Sequence, residues 1–303
     1  MKYLVVGAGG TGGAIGAYMA RAGKDVTLIA RGKHLEAMKQ NGIKLIRPTD
    51  EFVVSNIKAY SMEEYNETPD IIFVCVKGYS IEEVIPFIQR VATKHTIVIP
   101  ILNLWGTGGK MQPELPETLV TDGCIYIASE IKEPGVLLMR GNILRVIFGV
   151  RHESEYRKEL EEVESDLNES EILGILSHNI QRDTLLKFSY VSAQSACGTY
   201  YNVPTGPIQQ PGEIRNCFIK LIQEIEELAN TMGIHFEEDI VERNLKIMAP
   251  IDPMMTTSMQ RDLAEGKESE IDGQIFEVVR LADKYGLELP EYRKIAEALI
   301  EYQ

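Results

Sequence analysis

The sequence has little of what marks a secreted, zinc-bound or membrane protein. It has four cysteines in 303 residues, with no CxxC pair, so neither a disulfide framework nor a zinc site is indicated. No apolar run is long enough to span a bilayer, and the first residues lack the charged start, apolar stretch and cleavage site of a signal peptide. We therefore expect a cytoplasmic protein.

Positive charge is also scarce. The chain has 31 Lys and Arg against 45 Asp and Glu, a net charge of −14. This balance argues against a general nucleic-acid or membrane surface and leaves room for a small basic pocket. A chain of this length predicts two domains, since single cores seldom exceed about 250 to 300 residues.

A glycine-rich loop lies between the apolar run at 3–6 and an Ala-rich helical pattern. Its residues are Gly7, Ala8, Gly9, Gly10, Thr11 and Gly12. Such a strand-to-helix loop is typical of a dinucleotide-phosphate site, because its glycines permit a tight turn, close approach of a pyrophosphate and close packing of helix on strand. The alternative is that the glycines serve a purely structural turn. The position of the loop after the first strand of a βαβ unit favours nucleotide binding over that alternative.

The end of the second strand indicates which dinucleotide binds. An NAD site places a carboxylate there, on the ribose 2′-hydroxyl. This chain has Arg31-Gly32-Lys33 instead, and a guanidinium can grip a 2′-phosphate in bidentate fashion. The sequence therefore predicts NADP; the alternative is that Arg31 and Lys33 are solvated loop charges.

The first half alternates apolar runs with amphipathic segments, the βαβ rhythm of a Rossmann-type, doubly wound parallel sheet. Strands are predicted at 2–6, 25–30, 71–76 and 95–102, and helices at 11–22, 33–40 and 79–90. Runs at 118–128, 135–140 and 143–149 predict antiparallel additions at one sheet edge, followed by a helix at 153–167 and an apolar run at 171–176.

After residue 178 apolar residues recur at helical spacing, as in Ile214, Phe218, Leu221, Ile225 and Leu228. The prediction is an α/β protein with a Rossmann domain at 1–177 and a C-terminal all-helical domain at 178–303.

Polar residues that follow parallel strands are candidates for chemistry, because ligands bind outside the carboxyl ends of such strands. Lys77 follows one apolar run and Asn103 follows the next. Lys77 could hold a carboxylate and Asn103 an amide or hydroxyl, beside a nicotinamide. A strand-end polar residue more often simply begins a loop.

Lys187 precedes a stretch with no charged residue from Phe188 to Gly212, although a quarter of the chain is charged. A lysine in such surroundings is costly unless it has a purpose, and an ammonium there could donate a proton. The alternative is a lysine whose stem lies on apolar neighbours while its charge reaches water.

Ser258 and Glu270 lie before helical patterns. Ser258 could bind a substrate carboxylate, and Glu270 could support a lysine. Each also has a structural explanation, because serine caps helix amides and an acid complements the helix dipole.

Taken together, these motifs resemble the ketopantoate reductase (2-dehydropantoate 2-reductase) family. The resemblance rests on the Gly7–Gly12 loop, Arg31, Lys77, Asn103, Lys187, Ser258 and the run Glu270-Ile-Asp272, and it covers essentially the whole chain.

The resemblance implies an active site in a cleft between the two domains, where NADPH reduces a 2-oxo acid to a 2-hydroxy acid. By similarity, Lys187 donates the proton to the carbonyl oxygen and Glu270 assists it. Asn103 and Ser258 hold the substrate, and Lys77 and Asn103 lie near the nicotinamide. The expected partner is a small 2-oxo acid, with neither nucleic acid nor membrane, and the last helices would suit a homodimer.

The chain departs from the family where asparagines are expected, at Val191, Ser195 and Met255, and has Asn103-Leu104 in place of Asn-Gly. A drier pocket would prefer another or less polar 2-oxo acid. Ketopantoate stays the leading substrate. The alternatives are a paralogous reductase and a non-catalytic NADP(H)-binding sensor, which would need neither Lys187 nor Glu270.

Overall fold

The computed structural model describes residues 1–302, which divide into two compact units. The N-terminal unit comprises Met1–Leu102 and Gly106–Ile180. The helical unit comprises Asn103–Trp105 together with residues 181–302. Within the described residues, no helix combines the length and apolar character needed to cross a bilayer.

The N-terminal unit contains every strand in the described chain and five α-helices. The strands are β1 (Lys2–Val6), β2 (Asp25–Ile29), β3 (Ile43–Ile46), β4 (Glu51–Val54), β5 (Lys58–Tyr60), β6 (Ile71–Val74), β7 (Ile97–Pro100), β8 (Leu119–Val120), β9 (Asp122–Tyr126), β10 (Ser129–Glu133), β11 (Val136–Met139), β12 (Arg145–Gly149) and β13 (Leu173–Leu176). The helices are α1 (Gly10–Arg21), α2 (Gly32–Asn41), α3 (Ile81–Val91), α4 (Thr107–Met111) and α5 (Glu159–Glu169).

The main sheet has six strands in the order β5-β2-β1-β6-β7-β8, and every neighbouring pair is parallel. Its central strands β6 and β7 are buried at every position. This is why they read as continuous apolar runs, because a parallel sheet is covered on both faces. The predicted parallel sheet followed by a helical half is confirmed.

The predicted antiparallel edge is wrong, because these segments form sheets of their own. Strands β10-β11-β3-β4 make a four-stranded sheet and β13-β12-β9 a three-stranded one, while β8 joins the main sheet in parallel. The error arose because β3 and β4 were missed, and β11 pairs with β3 across a long stretch of chain. Helix α1 packs on both the main sheet and the four-stranded sheet.

The predicted helix at 153–167 begins later than expected. A 3₁₀ turn at Glu153–Glu155 comes first, capped by reciprocal bonds between His152 and Glu155, and α5 starts only at Glu159. Tyr156 is extended between them, with ψ at 135°. The extended backbone at Tyr156 therefore separates this turn from α5.

The helical unit has seven α-helices and one π-helical turn. The helices are α6 (Ile180–Tyr200), whose first residue still belongs to the N-terminal unit, α7 (Thr205–Gln209), α8 (Glu213–Thr231), α9 (Ile240–Met248), α10 (Ser258–Ala264), α11 (Glu277–Tyr285) and α12 (Pro290–Ala298), and the π-turn is Asp272–Phe276. The predicted spacing of apolar residues falls on the buried face of α8.

The start of α12 is capped from another helix. The carboxylate of Glu224 on α8 accepts hydrogen bonds from the amides of Glu291 and Tyr292, at 2.7 and 2.9 Å. These are first-turn amides that have no partner inside their own helix. Burial raises the pKa of Glu224, and the two amide bonds oppose that rise. A buried charge in this unit thus has a structural role.

Candidate active site

The glycine-rich loop is fixed to the end of β2. The amides of Gly7 and Ala8 both donate to the carbonyl of Ile29, at 3.2 and 2.9 Å. Gly7 has a φ of +96°, a conformation that disfavours any residue with a Cβ. The loop therefore turns sharply between β1 and α1, as the sequence predicts.

The other loop glycines do two different things. A Cβ on Gly12 would clash with the carbonyl oxygen of Gly7, so this glycine permits close packing of α1 on the loop. A Cβ on Gly9 would meet no atom within 4 Å, so the backbone borders open space there. This is the surface against which a pyrophosphate would lie.

The start of α1 has the character of an anion site. No side chain of residues 1–302 forms a capping hydrogen bond with this helix. Its first turn, which includes Thr11, contains no acidic residue. Its first amides are therefore available to a negatively charged ligand, and the helix dipole favours one. The loop and helix start fit the phosphates of a dinucleotide.

Arg31 lies directly before α2, close to the end of β2, where the sequence places it. Its side chain is 85% exposed and forms an ion pair with Glu83 of α3, with 3.6 Å between the nearest nitrogen and oxygen. Lys33 is exposed in the first turn of α2. Both cations are thus reachable from solvent.

Lys77 also belongs to the N-terminal unit. It follows β6 by three residues and directly precedes a 3₁₀ turn at Gly78–Ser80. Its side chain is half-buried, and its carbonyl accepts the Ser80 amide at 2.9 Å. It therefore lies beyond the carboxyl end of a central strand, where ligands of open α/β sheets bind.

Lys187 and Asn103 are brought together within the helical unit. Lys187 lies on α6, its residue is 7% exposed, and its ammonium donates a hydrogen bond to Oδ1 of Asn103. A buried ammonium must be hydrogen-bonded to offset its lost hydration. The structure thus places the ammonium of Lys187 in a largely buried, hydrogen-bonded position.

Within the helical unit, the two residues that follow Asn103 contact α6 and the π-turn. Trp105 donates its indole N–H to the carbonyl of Gln181 at 3.2 Å. A Cβ on Gly273 would lie 2.6 Å from a methyl carbon of Leu104, so this glycine in the π-turn leaves room for the leucine side chain. Gly273 thus makes room for Leu104, at the position where the resemblance implies a glycine.

Glu270 directly precedes the helical residues that lead into the π-turn. Glu270 is only 5% exposed, whereas an acid that merely complements a helix dipole is ordinarily in contact with solvent. Its backbone carbonyl accepts a hydrogen bond from the amide of Gln274 at 2.9 Å. Ser192 of α6 donates to the carbonyl of Gln274 at 2.5 Å, which ties α6 to this turn. π-helical turns are rare in proteins, and those that occur are often found at functional sites.

Ser258 is not the residue that caps α10. Thr257 does so, accepting the amide of Gln260 at 3.2 Å while the Gln260 side chain accepts the amide of Thr257 at 3.0 Å. The capping explanation for Ser258 is therefore wrong. Ser258 is the first residue of α10 and is half-buried.

The three positions where the resemblance implies asparagine are half-buried or buried. Val191 is half-buried one turn after Lys187 on α6, and Ser195 is buried one turn further. Met255 is half-buried, and its carbonyl accepts the amide and hydroxyl of Thr205, at 2.9 and 2.8 Å.

The sequence did not single out His34, which contacts the glycine-rich loop. Its ring lies 2.9 Å from the Ala8 carbonyl and 3.0 Å from the Gly135 amide. The only signal was its position in the first turn of α2, three residues after Arg31.

Two family models match the chain. The model described as "Ketopantoate reductase PanE/ApbA" matches residues 3–153, and "Ketopantoate reductase PanE/ApbA C terminal" matches residues 179–303. A "2-dehydropantoate 2-reductase" of Pyrococcus horikoshii is 28% identical over 291 residues, covering 93% of this chain and 92% of that protein. An "Uncharacterized oxidoreductase YkpB" of Bacillus subtilis is 27% identical over 303 residues, covering 100% and 99%.

Solved structures share the fold. A PanE/ApbA family ketopantoate reductase from Ralstonia eutropha superposes with a TM-score of 0.88 at 23% identity, covering 100% of this chain and 98% of that one. A D-mandelate dehydrogenase with NADH and anilino(oxo)acetate gives 0.87 at 19%, with the same coverage. A dimeric ketopantoate reductase from Staphylococcus aureus gives 0.83 at 21%, covering 100% and 99%. The chain therefore belongs to the ketopantoate reductase family of oxidoreductases.

Proposed function

We propose that this protein reduces a 2-oxo acid to the 2-hydroxy acid with NADPH, and that 2-dehydropantoate (ketopantoate) is its leading substrate. The observation that carries the proposal is the buried ammonium of Lys187, which donates to Asn103. The family models and the relative named 2-dehydropantoate 2-reductase support it.

The N-terminal unit has the features that a dinucleotide needs. The Gly7–Gly12 loop and the uncapped start of α1 would hold the pyrophosphate, and Arg31 would bind the 2′-phosphate. Lys77 would lie near the nicotinamide and substrate, with Asn103 beside them. When bound, NADPH supplies a hydride to the carbonyl carbon of the substrate.

The helical unit supplies the proton. As negative charge develops on the carbonyl oxygen, the ammonium of Lys187 stabilises it and transfers a proton to it, forming the hydroxyl. Lys187 is left as an amine and regains a proton from solvent. Asn103 orients the ammonium through its side-chain oxygen. Glu270 would support the positive charge, and Ser258 would hold the substrate carboxylate.

A second candidate is reduction of a less polar 2-oxo acid. Val191, one turn from Lys187, cannot form a side-chain hydrogen bond with a substrate hydroxyl. A buried substrate group left without a partner costs about 1–3 kcal/mol. A D-mandelate dehydrogenase that shares this fold has a solved structure with NADH and anilino(oxo)acetate, an aromatic compound, and this supports the second candidate.

The test is oxidation of NADPH by the purified protein against a panel of 2-oxo acids. The panel contains ketopantoate, straight-chain 2-oxo acids and phenylglyoxylate, each also assayed with NADH. Highest kcat/KM with ketopantoate supports the leading assignment, and highest kcat/KM with phenylglyoxylate supports the second. Tight NADPH binding without turnover of any acid contradicts both and supports a sensor.

We also propose that the protein is a homodimer, because the ketopantoate reductase of Staphylococcus aureus, which shares its fold, is dimeric. Light scattering coupled to gel filtration should give twice the mass of one chain. A mass equal to one chain across a tenfold dilution series would contradict it.

A further inference from the structure

We propose that His34 is a positioning residue for the dinucleotide phosphate loop, which it holds against the four-stranded sheet. The inference rests on the proposed NADPH site and adds a residue to it. It is carried by the two hydrogen bonds of one imidazole ring, which join three segments of the N-terminal unit.

The first contact determines the proton on the ring. The amide of Gly135, in the turn between β10 and β11, can only donate, so Nδ1 of His34 accepts from it at 3.0 Å. The proton therefore lies on Nε2, which donates to the carbonyl of Ala8 at 2.9 Å. The bond from Gly135 requires a neutral ring, whereas the bond to Ala8 can be donated by either the neutral or the protonated ring. Burial lowers the pKa of His34, and the bond to Ala8 opposes this only in part.

The second contact determines the direction of a loop amide. In a trans peptide the carbonyl of one residue and the amide of the next point in opposite directions. Holding the Ala8 carbonyl toward His34 therefore directs the Gly9 amide away from it. The Ala8 amide is already bonded to Ile29 at 2.9 Å, so the peptide units on both sides of Ala8 are fixed.

The four-stranded sheet meets the loop at a second point. A Cβ on Gly10 would lie 2.5 Å from the carbonyl oxygen of Ser129 in β10. The strand pair β10 and β11 thus contacts the loop directly through Ser129 and indirectly through Gly135 and His34. This support sets the orientation of the loop amides before a ligand arrives, which is the condition for tight binding.

Three substitutions separate the two bonds. His34→Gln keeps a donor that reaches Ala8, His34→Asn keeps an acceptor near Gly135, and His34→Leu removes both. His95→Leu replaces an exposed histidine of the same unit and is the matched control. We expect His34→Leu to raise the NADPH dissociation constant and KM about 5- to 10-fold, the effect of losing one net hydrogen bond. Because His34 acts through the loop, kcat at saturating NADPH should not change.

The variants differ in what they should retain. His34→Gln should stay within about twofold of the native NADPH affinity, whereas His34→Asn should resemble His34→Leu. Native affinity in His34→Leu would overturn the proposal. So would equal losses in His34→Leu and His34→Gln accompanied by an equal fall in the melting temperature, because that result indicates general packing.

A readout without cofactor separates this inference from the proposed function. In the ligand-free protein, hydrogen exchange at the amides of Ala8 and Gly13 should accelerate in His34→Leu, while amides of β6 keep their native rates. Unchanged exchange at Ala8 and Gly13 overturns the positioning role. If the native protein fails to bind NADPH at all, the proposed function falls, and this exchange measurement still decides the role of His34.

Discussion

Arg31 and Lys187, one in each unit, are the two cations to which the proposed function assigns the largest roles, and their environments are opposite. The side chain of Arg31 is 85% exposed, whereas the residue Lys187 is 7% exposed and is bonded to Asn103. An exposed ion pair such as that of Arg31 with Glu83 contributes little to folding. A buried ammonium must be ordered and paired before any substrate arrives.

The difference separates binding from chemistry. An exposed guanidinium can be removed with little cost to the fold, so its loss should appear only in cofactor affinity. The buried ammonium is fixed in place, so its loss should appear in the rate of the chemical step. The following predictions are ordered by the size of the expected effect.

Lys187→Ala should lower kcat by about 10²- to 10⁴-fold, the usual contribution of a positioned proton donor. The NADPH dissociation constant should stay within about twofold, because the proposed role lies in the transition state. Steady-state kinetics and fluorescence titration measure the two quantities. Lys246→Ala, at an exposed lysine of α9, is the control. An unchanged kcat would remove the role assigned to Lys187.

Glu224 tests whether a buried ionisable residue of the helical unit contributes to folding stability alone, without a role in catalysis. Glu224→Ala should lower the free energy of unfolding by about 2–3 kcal/mol and leave kcat unchanged, since two amides of α12 lose their acceptor. Denaturant unfolding measures the first effect. A fall in kcat at full occupancy of the folded state would contradict the structural assignment.

The pH dependence of stability provides a separate test of Glu224. Because burial raises its pKa in the folded state, the folded protein binds this proton more tightly than the unfolded chain does. This contribution to stability is present at low pH and is lost as pH rises from the ordinary glutamate value through the folded pKa. Native protein should therefore lose stability relative to Glu224→Gln over that range. Denaturant unfolding of the two proteins across this pH range measures the difference, and a difference that does not change with pH would contradict the raised pKa of Glu224.

Arg31→Ala should raise the NADPH dissociation constant about 10- to 30-fold, as expected for loss of charge-assisted bonds to a 2′-phosphate. NADH affinity and the melting temperature should not change. Lys39→Ala, near the other end of α2, is the matched control. Equal weakening of NADPH and NADH would show that Arg31 does not read the 2′-phosphate.

The smallest effect should come from Glu83, the carboxylate beside Arg31. Glu83→Gln should tighten NADPH binding about twofold at low ionic strength, because a negative charge near the 2′-phosphate is removed. The gain should vanish at high salt. An effect of the same size on NADH would argue that Glu83 acts through something other than the 2′-phosphate.

The sequence predicted the parts of the fold that are encoded locally. Long apolar runs gave the central strands β1, β6 and β7, and the spacing of apolar residues gave α8. Strands β3 to β5 are short and partly exposed, so no continuous pattern marks them. Their pairing with β11 and β2 depends on contacts between distant segments. The domain limits at 177 and 178 stay a prediction.

The candidate site shows the same division. Lys187 and Asn103 were each singled out by their surroundings in the sequence, but their hydrogen bond joins positions 84 residues apart. His34 was missed because Gly135 lies 101 residues away. Thr257 took the capping role considered for Ser258, a difference of one residue that propensity does not resolve.

The short segment Asn103–Trp105 has a consequence for anyone who divides this protein. A fragment that starts at Gln181 would contain Lys187 without the amide oxygen that accepts its hydrogen bond, and would lack the indole bonded to Gln181. A fragment that ends at Ile180 would retain Asn103–Trp105 without the helices that these residues contact. Cleavage between residues 180 and 181 therefore separates Asn103–Trp105 from the helices that they contact. Restoring the bond between Lys187 and Asn103 would require both fragments to be present together.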